Sequence, residues 1–203
     1  MTLAVVTGIL QVNHMHQEEL KIHGSVFLLL KKFIESNYDV ETWVNFSKAA
    51  GVSRSQYEMN RNYPASEFFS IIKVAAENKG VPETELKEKL GEYLVPFLLT
   101  LYESHIDPTW KTFQMLEYTE KVMHKAVRSE ASNANPPVLN VTALGNKLII
   151  IDYYSKRRMG SLAIGIIRGI AKFYNESERV HIIPKSDPND ERVQIRVEFD
   201  EVK

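Results

Sequence analysis

The chain has no cysteine in its 203 residues. That excludes disulfides, thiolate metal ligation and cysteine nucleophiles together. Any metal would have to be held by His, Asp, Glu or Tyr. Long apolar runs are also missing. None reaches the roughly 18 residues that a membrane-spanning helix needs. The first twenty residues have neither a basic opening nor a continuous apolar stretch, so they do not read as a signal peptide. A soluble, cytoplasmic protein is expected. No charge of one sign dominates, because 25 Lys and Arg face 26 Asp and Glu. The chain therefore lacks the field that would gather nucleic acid or an anionic membrane. What it does have is 44% hydrophobic residues, enough for one substantial core and one domain. Residues 1–21 lack periodicity and read as an N-terminal extension, disordered or carried over from cloning. The domain is expected over 22–203.

Apolar residues recur at helical spacing from Ser25, through Phe27, Leu28, Leu30, Phe33 and Ile34. A second helix follows Asp39, with Val40, Trp43, Val44 and Phe46 inward and Gly51 at its end. Ser53 to Pro64 reads as a connector. Ser66 is the expected N-cap of a helix that Gly80 stops. Pro82 starts a long helix to about Tyr102, with Pro96 as a potential kink. Asp107-Pro108 opens another, with Trp110, Phe113, Leu116, Met123 and Val127 as its apolar stripe.

After Arg128 the pattern changes. Ser129 to Pro137 is a loop, and Val138–Thr142 and Lys147–Tyr154 form a hairpin about Gly145-Asn146. A helix from Gly160 to Tyr174 carries Gly160, Gly165 and Gly169. Each interior glycine costs up to about 1 kcal/mol relative to alanine, so something must approach that backbone closely. Val180–Pro184 and Val193–Phe199 close the chain. The order predicts an α+β fold, an N-terminal helical subdomain plus an antiparallel sheet with helices.

Three features could carry chemistry. His124 lies late in a helix beside the core stripe, where most histidines are simply packed side chains. Tyr153, Ser155 and Arg157 alternate, so a strand would put them on one face. A guanidinium fork with two hydroxyls makes an anion clamp, or equally the polar side of an edge strand. Pro136-Pro137 stiffens the loop between them. Of the other histidines, His14 and His16 fall in the extension, His105 near a helix end, and His181 in a strand with no visible partner.

In combination these features resemble the heme-nitric oxide/oxygen binding (H-NOX) family, which includes the sensor domain of soluble guanylate cyclase. Its helix histidine, a proline thirteen residues on and Tyr-x-Ser-x-Arg about sixteen residues later correspond to His124, Pro137 and Tyr153-Tyr154-Ser155-Lys156-Arg157. Gly165, Ile22-His23-Gly24-Ser25-Val26 and Leu90-Gly91-Glu92-Tyr93 extend the resemblance over about residues 22–201. The resemblance implies heme b held between the helices and the sheet, with His124 on the iron. It further implies that Tyr153, Ser155 and Arg157 hold the propionates, and that Pro137 bends the macrocycle. The second nitrogen of His124 needs an orienting partner that the sequence does not reveal. Binding of nitric oxide would weaken the bond to His124 and let its helix move.

Oxygen-binding members of the family carry a distal tyrosine, and its position here is Leu162. The other distal positions by resemblance are Val26, Leu30, Leu94, Leu98 and Ile166, all apolar. Nitric oxide and carbon monoxide are therefore the expected ligands, with discrimination against oxygen. Output would pass through a separate protein such as a histidine kinase or cyclic-dinucleotide enzyme. Two other classes compete: a heme enzyme acting on nitric oxide or peroxide, which would want a distal acid-base group, and a heme-free module on the same fold. The extension before His23 departs from the family, as does the lack of cysteines in the last hairpin.

Overall fold

The helical and alternating runs form their elements largely where the periodicity puts them. A computed structural model describes residues 19–54, 56–130 and 135–201. Most of the N-terminal extension, and His14 and His16 with it, lies outside these. The helical part contains α1 (Gly24–Asn37), α2 (Val40–Ala49), α3 (Ala65–Lys79) and α4 (Glu83–Leu101). After a short helix α5 (Thr112–Tyr118) come a π-helical segment (Thr119–His124) and α6 (Lys125–Glu130). The expected α+β class holds. The sheet is antiparallel in the order β3-β4-β6-β5, made of Val138–Leu144, Leu148–Tyr154, Arg192–Phe199 and Val180–Pro184. α7 (Gly160–Phe173) lies between this sheet and α4.

Two short strands went unforeseen. β1 (Lys21–His23) pairs with β2 (Asn62–Pro64) inside the stretch read as a connector, and Lys21 itself is part of it. The pair closes the helical part over an aromatic cluster. Phe27 stacks on Tyr57 with ring centroids 4.2 Å apart and meets Tyr63 and Phe68 edge-on. Such pairs contribute about 0.5–1.5 kcal/mol beyond their area.

Several helix details need correction. α3 begins at Ala65, with Pro64 rather than Ser66 in the capping position, because the Ala65 N–H is already bonded to the Leu20 carbonyl at 2.8 Å. Val40 and Val44 face outward, 66% and 58% exposed, while Trp43 and Phe46 are buried. α2 is too short to bury two faces. Asp107 caps a turn through Thr109 instead of opening a helix, which starts at Thr112. Trp110 therefore lies outside the helix and stacks on Tyr118 at 5.0 Å. His181 does have a partner, Asp200, at 2.8 Å.

The expectation about the glycines is met by α4. A Cβ on Gly165 would sit 2.0 Å from the Glu88 carbonyl oxygen, and one on Gly91 would sit 2.4 Å from that of Leu162. The two helices therefore cross backbone to backbone. Gly169 faces the Glu92 carbonyl, which Pro96 leaves without its usual i+4 donor. Gly160 is crowded from the other side, by the Pro188 carbonyl of the β5–β6 connection.

Asp39 caps α2, accepting from the Thr42 N–H at 2.6 Å and its hydroxyl at 2.8 Å. These bonds hold the carboxyl below its ordinary 3.8. A depressed folded-state value contributes stability above the unfolded value, and that stability is lost as pH falls through the folded one. Asp39→Ala should therefore melt below the wild type at neutral pH, and the gap should close in acid. A gap of equal size in thermal melts at both ends would contradict the cap.

Candidate functional site

His124 ends the π-helical segment, and its ring lines a cavity of about 90 Å³. π-Helical turns inside helices are frequent at functional sites. Here the segment separates α5 from α6 and carries both Glu120 and His124. Pro137, Tyr153 and Ile166 line the same cavity, so four of the residues named from the sequence converge on it. The remaining wall comes from Thr119, Leu139, Ile151, Ala163, Ile167, Ile170 and Ile195, which the sequence did not mark as site residues, and from Leu116, expected only as part of an apolar stripe. Register and helical spacing account for most of them. Leu139 pairs with Tyr153, and Ile195 with Ile151. Ala163 and Ile170 lie three and four residues from Ile166 on α7, and Ile167 lies four from Ala163 and three from Ile170.

The partner of His124 is Glu120, one helical turn earlier. Glu120 Oε2 lies 2.8 Å from His124 Nδ1, and the same oxygen accepts from the Leu139 N–H at 3.1 Å. The other carboxylate oxygen accepts from Arg128 Nη2 at 2.6 Å. Burial works to raise the Glu120 pKa, but the hydrogen bonds from His124 and Arg128 outweigh it, and the carboxyl ends below its ordinary range. An ionised carboxylate can only accept, so the ring hydrogen sits on Nδ1 and the lone pair on Nε2. Burial lowers the His124 pKa, against the pull of Glu120 and the Pro137 backbone. Burial thus favours the neutral form of the ring.

Tyr153 is the next-to-last residue of β4 and is buried, as is Ser155 just beyond the strand. Burial raises the Tyr153 pKa, opposed by hydrogen bonds with Ser155 and the Met159 backbone and by the charge of Arg157. The Arg157 N–H in turn donates to Ser155 Oγ at 3.2 Å. Arg157 is half-buried and donates to the Lys21 carbonyl at 3.1 Å and the Asn135 carbonyl at 2.5 Å. Burial lowers its pKa, and no described carboxylate pairs with it. A shielded guanidinium whose partners are neutral carbonyls can still accept an anion. Neither Ser155 nor Arg157 lines the cavity itself.

The apolar residues placed by resemblance lie elsewhere. Leu30 and Leu94 are buried, at 0% and 3% exposed, and Leu162 is buried near Gly91. Val26 and Leu98 pack against the same core from its margin. These five line the helical side and not the cavity beside His124. Among the described residues, no helix is long and apolar enough to cross a membrane.

Comparison with known proteins gives a consistent picture of the fold. The family model described as "Haem-NO-binding" matches residues 23–182. An H-NOX protein from S. oneidensis, solved in the Fe(II)NO state, superposes with a TM-score of 0.79 at 20% identity, covering 89% of this chain and 100% of its own. The Shewanella oneidensis H-NOX domain in the Fe(II)CO state gives 0.77 at 19%, with the same coverage. The unliganded Fe(II) H-NOX protein from K. algicida gives 0.75 at 18%, covering 89% and 98%. No curated protein matches the sequence.

Proposed function

The chain belongs to the haem-NO-binding family, and from that premise we propose that it is a heme-based gas sensor with His124 as the iron ligand. The observation that carries this reading is the convergence of His124, Pro137 and Tyr153 on one cavity. The donor set fits the group. A single imidazole in a wall whose other polar side chains are the hydroxyls of Thr119 and Tyr153 is too little for a bare metal ion, which takes about four ligands. It would suit a metal that brings most of its ligands in its own macrocycle, with His124 as the protein's ligand. Arg157, with Tyr153 and Ser155, suits the propionates. A cavity of about 90 Å³ is small beside the roughly 300–1,000 Å³ of ordinary ligand sites, so the walls must part to admit heme b.

Bound heme would supply the iron site that takes the gas. The protein's part is to present the His124 Nε2 lone pair, hold the carboxylates at Arg157 and keep water out. The positions that the resemblance makes distal, Val26, Leu30, Leu94, Leu98, Leu162 and Ile166, offer no side-chain hydrogen-bond donor, although only Ile166 lines the cavity beside His124. Nitric oxide and carbon monoxide need none, whereas bound oxygen is polarised and gains from one. The same lack speaks for a binding protein rather than a peroxide-cleaving enzyme. Release of His124 would free the π-helical segment to move, and a separate cytoplasmic signalling protein, such as a histidine kinase or cyclic-dinucleotide enzyme, would read that change.

Protein produced with ample heme and reduced should show a Soret band that shifts with nitric oxide and with carbon monoxide but not with air. A stable oxy spectrum would overturn the discrimination against oxygen. Absence of any Soret band would overturn the sensor.

A further inference from the structure

We propose that Glu120 sets the strength of the bond between His124 and the iron, by lending the imidazole anionic character. The inference rests on the heme reading above and goes beyond it, since it concerns a residue outside the motif.

Glu120 and His124 supply the carboxylate–histidine half of what would be a carboxylate–histidine–metal triad. Glu120 Oε2 takes the Nδ1 hydrogen at 2.8 Å, leaving Nε2 as the donor nitrogen. Such a partner fixes the tautomer and ring orientation and raises ligand basicity. A carboxylate does more than a backbone carbonyl would, because its full charge draws the shared proton away from the ring. Glu120 is itself held in place. The Leu139 N–H bonds the same oxygen from strand β3, two residues past Pro137, and Arg128 bonds the other oxygen from α6. Its side chain is one-quarter exposed and that of His124 16% exposed, so solvent screens the pair only in part.

Arg128 makes the arrangement adjustable. Its guanidinium competes with His124 for the charge of the carboxylate. It therefore weakens the push on the iron, and removing it should strengthen that push. A purely structural Glu120 would give no such opposition of signs. The stronger the push, the more firmly His124 would hold the iron against release on gas binding.

The test uses resonance Raman spectra of the reduced, heme-loaded full chain, read at the iron–histidine stretching frequency. Glu120→Gln keeps an acceptor for Nδ1 and drops the charge, so the frequency should fall. Heme retention should weaken by about 10–100-fold, the usual cost of losing such a partner. Arg128→Leu, at a side chain 43% exposed, should leave the fold intact and raise the frequency. The midpoint potential should move down in Arg128→Leu and up in Glu120→Gln. Heme-loaded variants that shift both readings in one direction, or not at all, overturn the proposal and leave the sensor reading standing. If Glu120→Gln does not fold, the sign in Arg128→Leu decides alone. A wild type without a Soret band overturns both readings, so the two failures are distinguishable.

Discussion

A His124→Gly variant is expected to lose most of its heme absorbance, and free imidazole should restore it. The side chain is only 16% exposed and its ring forms part of the cavity wall. Removing it opens a gap of imidazole's shape, bounded by Glu120 on the Nδ1 side. Glu120 would keep its bonds to Arg128 and Leu139, so the deletion strands no charge. Glycine at the junction of the π-helical segment and α6 costs about 1 kcal/mol, which a domain of this size can absorb. Exogenous imidazole then finds a preformed acceptor for its own N–H. Heme content and spectrum unchanged in His124→Gly, or in His124→Ala, would show that the ligand is another residue. Full loss without rescue would show that the substitution damages the fold, which a far-UV spectrum would reveal directly.

How much of this site could be read from the chain depends on the range of each signal. The intervals from His124 to Pro137 to Tyr153 were legible because they lie within one helix–loop–hairpin unit. The antiparallel register of β3 and β4 then brings Leu139, two residues after Pro137, opposite Tyr153. The strand face expected for Tyr153, Ser155 and Arg157 did not form as such, because β4 stops at Tyr154 and Ser155 and Arg157 lie in the turn beyond it, although Tyr153 and Ser155 are both buried. The pairing of β1 with β2 was not legible. Three-residue strands show no period, and their register is set by a partner some forty residues away. The π-helical segment leaves little trace either, because one extra residue in a turn shifts the stripe without breaking it. Glu120 was visible as an acidic residue four before a histidine. That spacing is common on solvated helix faces, and only burial of the pair distinguishes it. Val40 and Val44 show the converse error, in which apolar character was taken for an inward position.

The glycines of α7 were read correctly as a sign of close approach, and they support the second large prediction. Gly165→Ala should destabilise the fold by about 1–3 kcal/mol, the usual cost of overpacking, although helix propensity alone favours alanine by about 1 kcal/mol. The added methyl would lie 2.0 Å from the Glu88 carbonyl oxygen and 2.7 Å from its Cα and carbonyl carbon. These are backbone atoms in the middle of α4, so no rotamer change relieves the clash and the helices must separate. Gly169→Ala should cost less, because its nearest neighbour, at 2.6 Å, is a methyl of the Val95 side chain and the backbone of Glu92 stands farther off, at 2.9 and 3.0 Å. Urea denaturation gives the order directly, as the midpoint at constant slope. A Gly165→Ala protein as stable as the wild type would mean that the crossing is looser than described. The consequence reaches the site, because α7 carries Ala163, Ile166, Ile167 and Ile170 into the cavity wall. A helix displaced from α4 cannot keep all four against His124 and the sheet. Gly165→Ala should therefore weaken heme retention even though residue 165 does not line the cavity, and Gly169→Ala should weaken it less.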